Sequence, residues 1–242
     1  MLKSVLTMSF LKDQMYTEKD IEALDMKKEK KTAKAENQHL SEREKARAAS
    51  FQVMSDDLRK QGYRQYSLAV GIDTANKLAL GMMLPVFALS MALYVMHNPE
   101  SGVGFRSLSD SLLFVGGLLL LTVLHELVHG VTWSFFSENG MKDMEFGILR
   151  DSLTPYCTCL RPLKKAGYIT GALMPLVLTG IVPTVIGILT GSFLLVLIGS
   201  VMITSAAGDI LIVFTLLKHK SDSQDQIICD LPVQAGCMLF ER

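Results

Sequence analysis

Polar and apolar positions lie along this chain in long blocks rather than in the short alternation of a soluble domain. Residues 1–77 carry fifteen Lys/Arg and twelve Asp/Glu, whereas residues 78–96 (LALGMMLPVFALSMALYVM) and 166–208 carry no charge at all. A third apolar block, SLLFVGGLLLLTVLHELVHGVTWSFF over 111–136, holds a single acid, Glu126. About 20 apolar residues cross the hydrocarbon core of a bilayer as a helix, so each block is of spanning length and the run from 166 is twice that. Thr190-Gly191 divides it. The pattern predicts spans at about 77–97, 111–136, 167–189 and 192–217. The fold class expected is an all-α polytopic membrane protein: four transmembrane helices, a charged N-terminal cytoplasmic helical arm and small cytoplasmic strand-like segments. The corresponding divisions are an arm over 1–61, a membrane domain over 62–217 and a tail over 218–242.

Charge then orients the bundle. Cytoplasmic loops carry the excess of Lys and Arg. The N-terminal segment is rich in both, the 98–110 loop has only Arg106, and the 137–165 loop has Lys142, Arg150, Arg161, Lys164 and Lys165. The 190–191 turn has none, and Lys218 and Lys220 follow the last span. Both termini are thus expected on the cytoplasmic side of the cell membrane, with the lipid bilayer as the main partner. MLKSVLTMSF makes a poor signal peptide, because its apolar stretch is short and runs into LKDQ; the first span is expected to act as signal anchor. The net charge of zero gives no pointer to nucleic acid. Cys157, Cys159, Cys229 and Cys237 all fall on segments read as cytoplasmic, where thiols stay reduced.

In the arm, Thr17 and Asp20 form a possible capping box, and KKEKKTAK (27–34) reads as a solvated helix or tail, with contact to anionic lipid as the functional alternative. YRQYSLAV (63–70) and QIICDLPVQAGCMLF (226–240) are strand-like and are expected to pair into a small cytoplasmic sheet.

The chemistry lies inside the second span. On a helix, residues i and i+4 share a face, so His125 and His129 can aim both imidazoles at one point, with Glu126 beside them. This is the H-E-x-x-H arrangement of two zinc ligands and a general base. Ionisable groups within a span cost several kcal/mol unless they are paired or functional. A catalytic zinc takes three protein ligands and keeps an open position, so a third ligand is needed. Asp209, in SAAGDILIVF, is the only other acid within a predicted span. At 1.5 Å per residue, His125 and His129 lie about 21 and 27 Å from the outer end of their span and Asp209 about 26 Å from the outer end of its own. The small residues before it, Ser205 to Gly208, permit close helix approach. Glu138, Glu145, Asp151, Asp225 and Asp230 remain alternatives that would have to reach membrane depth from loop or tail, with Glu145 the choice if the third ligand is a downstream Glu. Pro175, near the same depth, frees the carbonyl of Gly171; it marks either a packing kink or a place where extended substrate backbone finds partners. Cys157-Thr158-Cys159 is too short a pattern for a metal site and reads as a reduced-thiol loop.

HELVHG within a span, PYCTCLRPL, GALMPLVLTGIVP and AAGDILI together resemble a bacterial family of membrane zincin peptidases first described as a domain of unknown function. The likeness runs from GYRQYSL (62–68) to DLPVQAG (230–236). The family often has His between the two loop cysteines, where this chain has Thr158. More distantly the layout is similar to the site-2 proteases, in which the later Asp ligand is followed by Gly rather than preceded by it as in Gly208-Asp209. These resemblances imply zinc as cofactor, His125, His129 and Asp209 as ligands, Glu126 as base, and a membrane-anchored protein or peptide as substrate.

Overall fold

A computed structural model describes residues 41–149, 154–221 and 223–242. The expected Thr17 capping box, the KKEKKTAK stretch, Arg150 and Asp151 lie outside these residues. The first described helix, α1 (Glu42–Lys60), opens on Ser41. The Ser41 backbone N–H and hydroxyl both reach the Glu44 carboxylate, and the Glu44 N–H returns to the Ser41 hydroxyl, which satisfies first-turn donors that have no intrahelical partner. The apolar side chains of its second half, Phe51, Met54 and Leu58, pack on one face of a sheet.

That sheet has four antiparallel strands in the order β1-β6-β5-β4: β1 (Arg64–Ala69), β4 (Leu163–Lys164), β5 (Gln226–Asp230) and β6 (Gly236–Glu241). The two strand-like stretches do pair, with Arg64 opposite Glu241 and Ala69 opposite Gly236. Period-2 alternation divides the faces. Met238, Phe240 and Cys229 meet α1. Cys237, Leu239 and Ile228 turn to the opposite face, against Tyr168, Val213 and Leu216 from the inner ends of two apolar helices. Every residue of β6 is therefore buried, and fully buried Leu239 and Phe240 each contribute roughly 1.5–3 kcal/mol.

Among the described residues most are helical, and three helices are long and apolar enough to cross a membrane: α2 (Ile72–His97), α3 (Leu108–Ser134) and a composite over Lys165–Thr190. Their outward faces leave Leu80, Leu84, Leu112 and Leu119 exposed, each by more than half, as a lipid-facing surface requires. Ser107 starts α3 by accepting from the Asp110 N–H. The composite helix is α4 (Lys165–Pro175), a π-helical segment (Leu176–Ile181) and α5 (Val182–Thr190). Pro175 has no N–H to continue the α ladder, and the π turn follows it directly. Gly191, at φ +68°, supplies the left-handed turn into α6 (Phe193–Ser205).

Two expectations need correction. The fourth span is not one helix: α6 ends at Ser205, α7 (Ala207–Lys218) begins two residues on, and the pair is bent by 40°. The Thr204 and Ser205 hydroxyls bond carbonyls three residues back, an arrangement that competes with helix continuation. The second is the all-α class, because the 137–165 loop holds regular strands. After a short 3-10 turn (Gly140–Asp143) it forms a hairpin, β2 (Met144–Leu149) with β3 (Thr154–Cys159), registered Phe146 to Cys157. The sheet and this hairpin also make the fold more than all-α.

Candidate metal centre

Helix α3 is the platform. His125 and His129 stand one turn apart on its inward face, 8% and 4% exposed. Asp209 arrives from α7, in the first turn after the break at Ala206. Ala206 and Ala207 are buried almost completely, so the backbone there packs close against its neighbours. His125 Nε2 lies 3.2 Å from Asp209 Oδ2, and His129 Nε2 lies 3.4 Å from Asp209 Oδ1. One atom from each of the three residues falls within 4.8 Å of the others, and among the described residues this is the one group of three His, Cys, Asp or Glu side chains with such geometry.

The remaining ring nitrogen of His129 decides what the site can hold. Its Nδ1 is 2.9 Å from the Gly171 carbonyl of α4. A carbonyl only accepts, so Nδ1 carries a hydrogen, and it is Nε2 that faces the carboxylate with either a proton or a lone pair. In the neutral ring a lone pair faces the carboxylate, and that is the form in which Nε2 and the carboxylate oxygens can share a metal ion. Two imidazole nitrogens and a carboxylate oxygen are a donor set that zinc accepts, and a ligating histidine with its other N–H tied to a carbonyl is the usual outer arrangement. The residues present thus fit the metal the motif implies.

The Gly171 carbonyl is the one that Pro175 leaves without its helical partner. It serves His129, and Pro175 itself is buried among the most enclosed side chains; its position gives the expected substrate-binding role no support. Gly171 also has no room for a Cβ, which would lie 2.1 Å from the Trp133 ring. Trp133 continues the 125–129 spacing by one more turn. Its indole stacks on His129 (centroids 5.0 Å, planes 18°) and on Tyr168 (5.6 Å, 22°), and its Nε1–H donates to the Tyr168 carbonyl at 3.0 Å. The i+4 series 125, 129, 133 was legible, but the sequence reading stopped at the second histidine.

Glu126 is half-buried beside the pair, with the Cys157 backbone of β3 close to its carboxylate. Strand β3 therefore lies against α3 at the motif. The glycine that ends HELVHG makes this possible: a Cβ on Gly130 would come 2.3 Å from Phe146 and 3.1 Å from Cys157 Sγ.

The alternative third ligands are engaged elsewhere or turned away. Glu145 sits on β2 and accepts from Tyr156. Asp225 accepts from Tyr63 and pairs with Arg242. Glu138 is exposed. Asp230 accepts from the Thr158 hydroxyl, the Cys159 N–H and the Tyr168 hydroxyl at 3.0, 3.0 and 2.7 Å. Thr158, at the position between the two cysteines, thus ties the hairpin to β5. All four cysteines are free. Burial pushes the Cys157 thiol far above its usual range and that of Cys159 up to about 11, so both remain protonated and weak as ligands.

Among known proteins, no curated protein and no solved structure matches this chain. A family model does. Residues 118–224, just under half the chain, match the family described as "Putative zincin peptidase", and it is to that family that the segment from the HELVHG helix to beyond the Asp209 helix is similar.

Proposed function

We propose that this protein is a four-span intramembrane zinc metalloprotease of the cell membrane, with both termini cytoplasmic, that hydrolyses peptide bonds of membrane-anchored proteins or peptides. The observation that carries the reading is the convergence of His125, His129 and Asp209 on one point between apolar helices. Bound there, zinc would lower the pKa of a coordinated water to near 7 and polarise a peptide carbonyl. Glu126, next in sequence to the first ligand, is in position to take the proton from the attacking water and pass it to the leaving nitrogen. The Cys157 backbone approaches that carboxylate from the hairpin side. Apolar faces on α2 and α3 and the enclosure of the site favour a substrate that is itself in the membrane, as does the resemblance to site-2 proteases.

The span count is supported by the sheet. Strand β1 precedes α2, β4 precedes α4, and β5 and β6 follow α7, yet all four strands belong to one sheet. Strands of one sheet lie on one side of a bilayer. An even number of crossings must then separate β4 from β5, which makes the bent pair α6–α7 a crossing if Lys165–Thr190 is one. The Lys and Arg of these flanking segments favour the cytoplasm for that side.

The test compares wild type with Glu126→Gln in detergent or nanodiscs. Zinc content should be equal, while cleavage of a membrane-anchored reporter falls by the 10²–10⁴-fold typical of a lost general base. A Glu126→Gln variant that keeps both its zinc and its full cellular effect would instead mark a non-enzymatic metal-binding accessory or peptide-resistance protein.

A further inference from the structure

Which nitrogen a ligating histidine offers is set by the hydrogen bond that its other nitrogen makes, and for His129 that bond goes to Gly171. His125 Nδ1 faces away from Asp209, toward the π-helical segment of the third apolar helix. Its polar partner there is Thr179 Oγ1, at 3.4 Å. Thr179 is 3% exposed, so this hydroxyl has no bulk water to turn to. Its own hydrogen is committed: Oγ1 donates to the Pro175 carbonyl at 2.8 Å. What it presents to His125 is therefore a lone pair, and the matching partner is an Nδ1–H.

We infer that Thr179 is a positioning residue for the metal centre: by accepting from His125 Nδ1–H it fixes the tautomer in which Nε2 is the ligand, as the Gly171 carbonyl does for His129. This rests on the metallopeptidase reading and adds to it the residue that orients the first ligand. The two acceptors come from one helix, eight residues apart, with Pro175 midway between them. The proline serves each in a different way. Its missing N–H leaves the Gly171 carbonyl for His129, and its own carbonyl takes the Thr179 hydrogen. A π turn inserts a residue relative to an α-helix, so it rotates the following face by about 100°. In this chain the inserted turn spans Leu176–Ile181 and contains Thr179. It is pinned from behind by Gly180, where a Cβ would stand 2.8 Å from Ile203.

The experiment measures zinc affinity of the full-length purified protein by competition with a chromogenic chelator, for wild type, Thr179→Ser and Thr179→Val. Loss of an outer hydrogen bond to a ligating histidine costs about 10–100-fold in metal affinity. Thr179→Val, which keeps the shape and removes the hydroxyl, should show that loss, and Thr179→Ser should stay within about threefold of wild type, well short of it. Thr179→Val binding zinc as wild type does, or Thr179→Ser failing as badly as Thr179→Val, would overturn the assignment. A readout on the unmutated zinc protein guards against a variant that misfolds: the ¹⁵N-detected tautomer of His125 should show a hydrogen on Nδ1, and a hydrogen on Nε2 would overturn the assignment without any mutation. If the wild type holds no zinc, the metallopeptidase reading falls and this inference with it; if it holds zinc and Thr179→Val holds it equally well, only this inference falls.

Discussion

Two largely enclosed carboxylates stand 21 residues apart and are treated in opposite ways. Asp230 is surrounded by hydrogens: two hydroxyls and a backbone N–H point at its oxygens. Asp209 is faced by two ring nitrogens, at least one of which has its hydrogen committed on the far side. The first acid is complete within the protein. The second is completed either by a proton on a facing ring nitrogen or by a metal ion shared with the two rings. Both are polar clusters at the edge of an apolar region, and counting polar neighbours would not separate them; the direction of each hydrogen does. A short chain of rings, His129, Trp133 and Tyr168, joins the two, so each can be perturbed while the other is watched.

The largest expected effect is at Asp209. Asp209→Ala should reduce zinc affinity at least about 100-fold, beyond the range of an outer-shell loss, and leave folding intact; zinc content of the purified variant checks it, and full occupancy would remove Asp209 from the centre. Asp230→Ala should do the reverse. It leaves three enclosed donors without an acceptor, at about 1–3 kcal/mol for each that stays unsatisfied, so the denaturation midpoint in detergent should drop sharply while zinc per folded molecule holds. Trp133→Phe keeps most of the ring between the two sites but loses the Nε1–H donated to Tyr168. About 1 kcal/mol of stability and a change of only a few-fold in zinc affinity are expected, read from the same two measurements.

The smallest effect is in pH. Burial raises the Asp230 carboxyl above its ordinary value, although its hydrogen bonds pull the other way. A folded value above the unfolded one means that folding takes up a proton there. The stability this adds is whole below about pH 4, the unfolded value, and is lost as pH rises through the raised folded value. Asp230→Asn should flatten that decline; an unchanged slope in denaturation between those limits would show that Asp230 is not its source.

How much of this was written in the sequence differs between the two carboxylates. The imidazole pair follows from four-residue spacing, and the depth count put Asp209 level with them before any contact was known. The three long apolar helices follow from composition. What was not legible were the interruptions. Ala206-Ala207-Gly208 looks like a tight-packing stripe, not a helix end, because alanine is the best helix former and the stop comes from the hydroxyls of Thr204 and Ser205. The β2–β3 hairpin escaped because Gly147 and Pro155 lower strand propensity; its strands are held by contact with α3 that only Gly130 permits. Asp230 read as a distant alternative ligand, since nothing in DLPVQAG announces that Thr158 and Tyr168 will reach it. The partners of both acids are set by tertiary packing, which a linear pattern does not carry.

The central position of β6 has a consequence for how the molecule is made. β1 leaves the ribosome before any apolar helix, and the strand that pairs with it follows roughly 170 residues later, or about 10–30 s at common translation rates. Throughout that interval the Leu68 strand has an open edge, and the helices are inserted with no sheet beneath them. Closure by β6 then draws together segments made before the first apolar helix and after the last, and it brings the inner ends of α4 and α7 against one face. The last strand made thus acts as a clasp on the whole assembly, and a chain stalled before Gly236 would have every ligand residue but not the floor against which α7 is held.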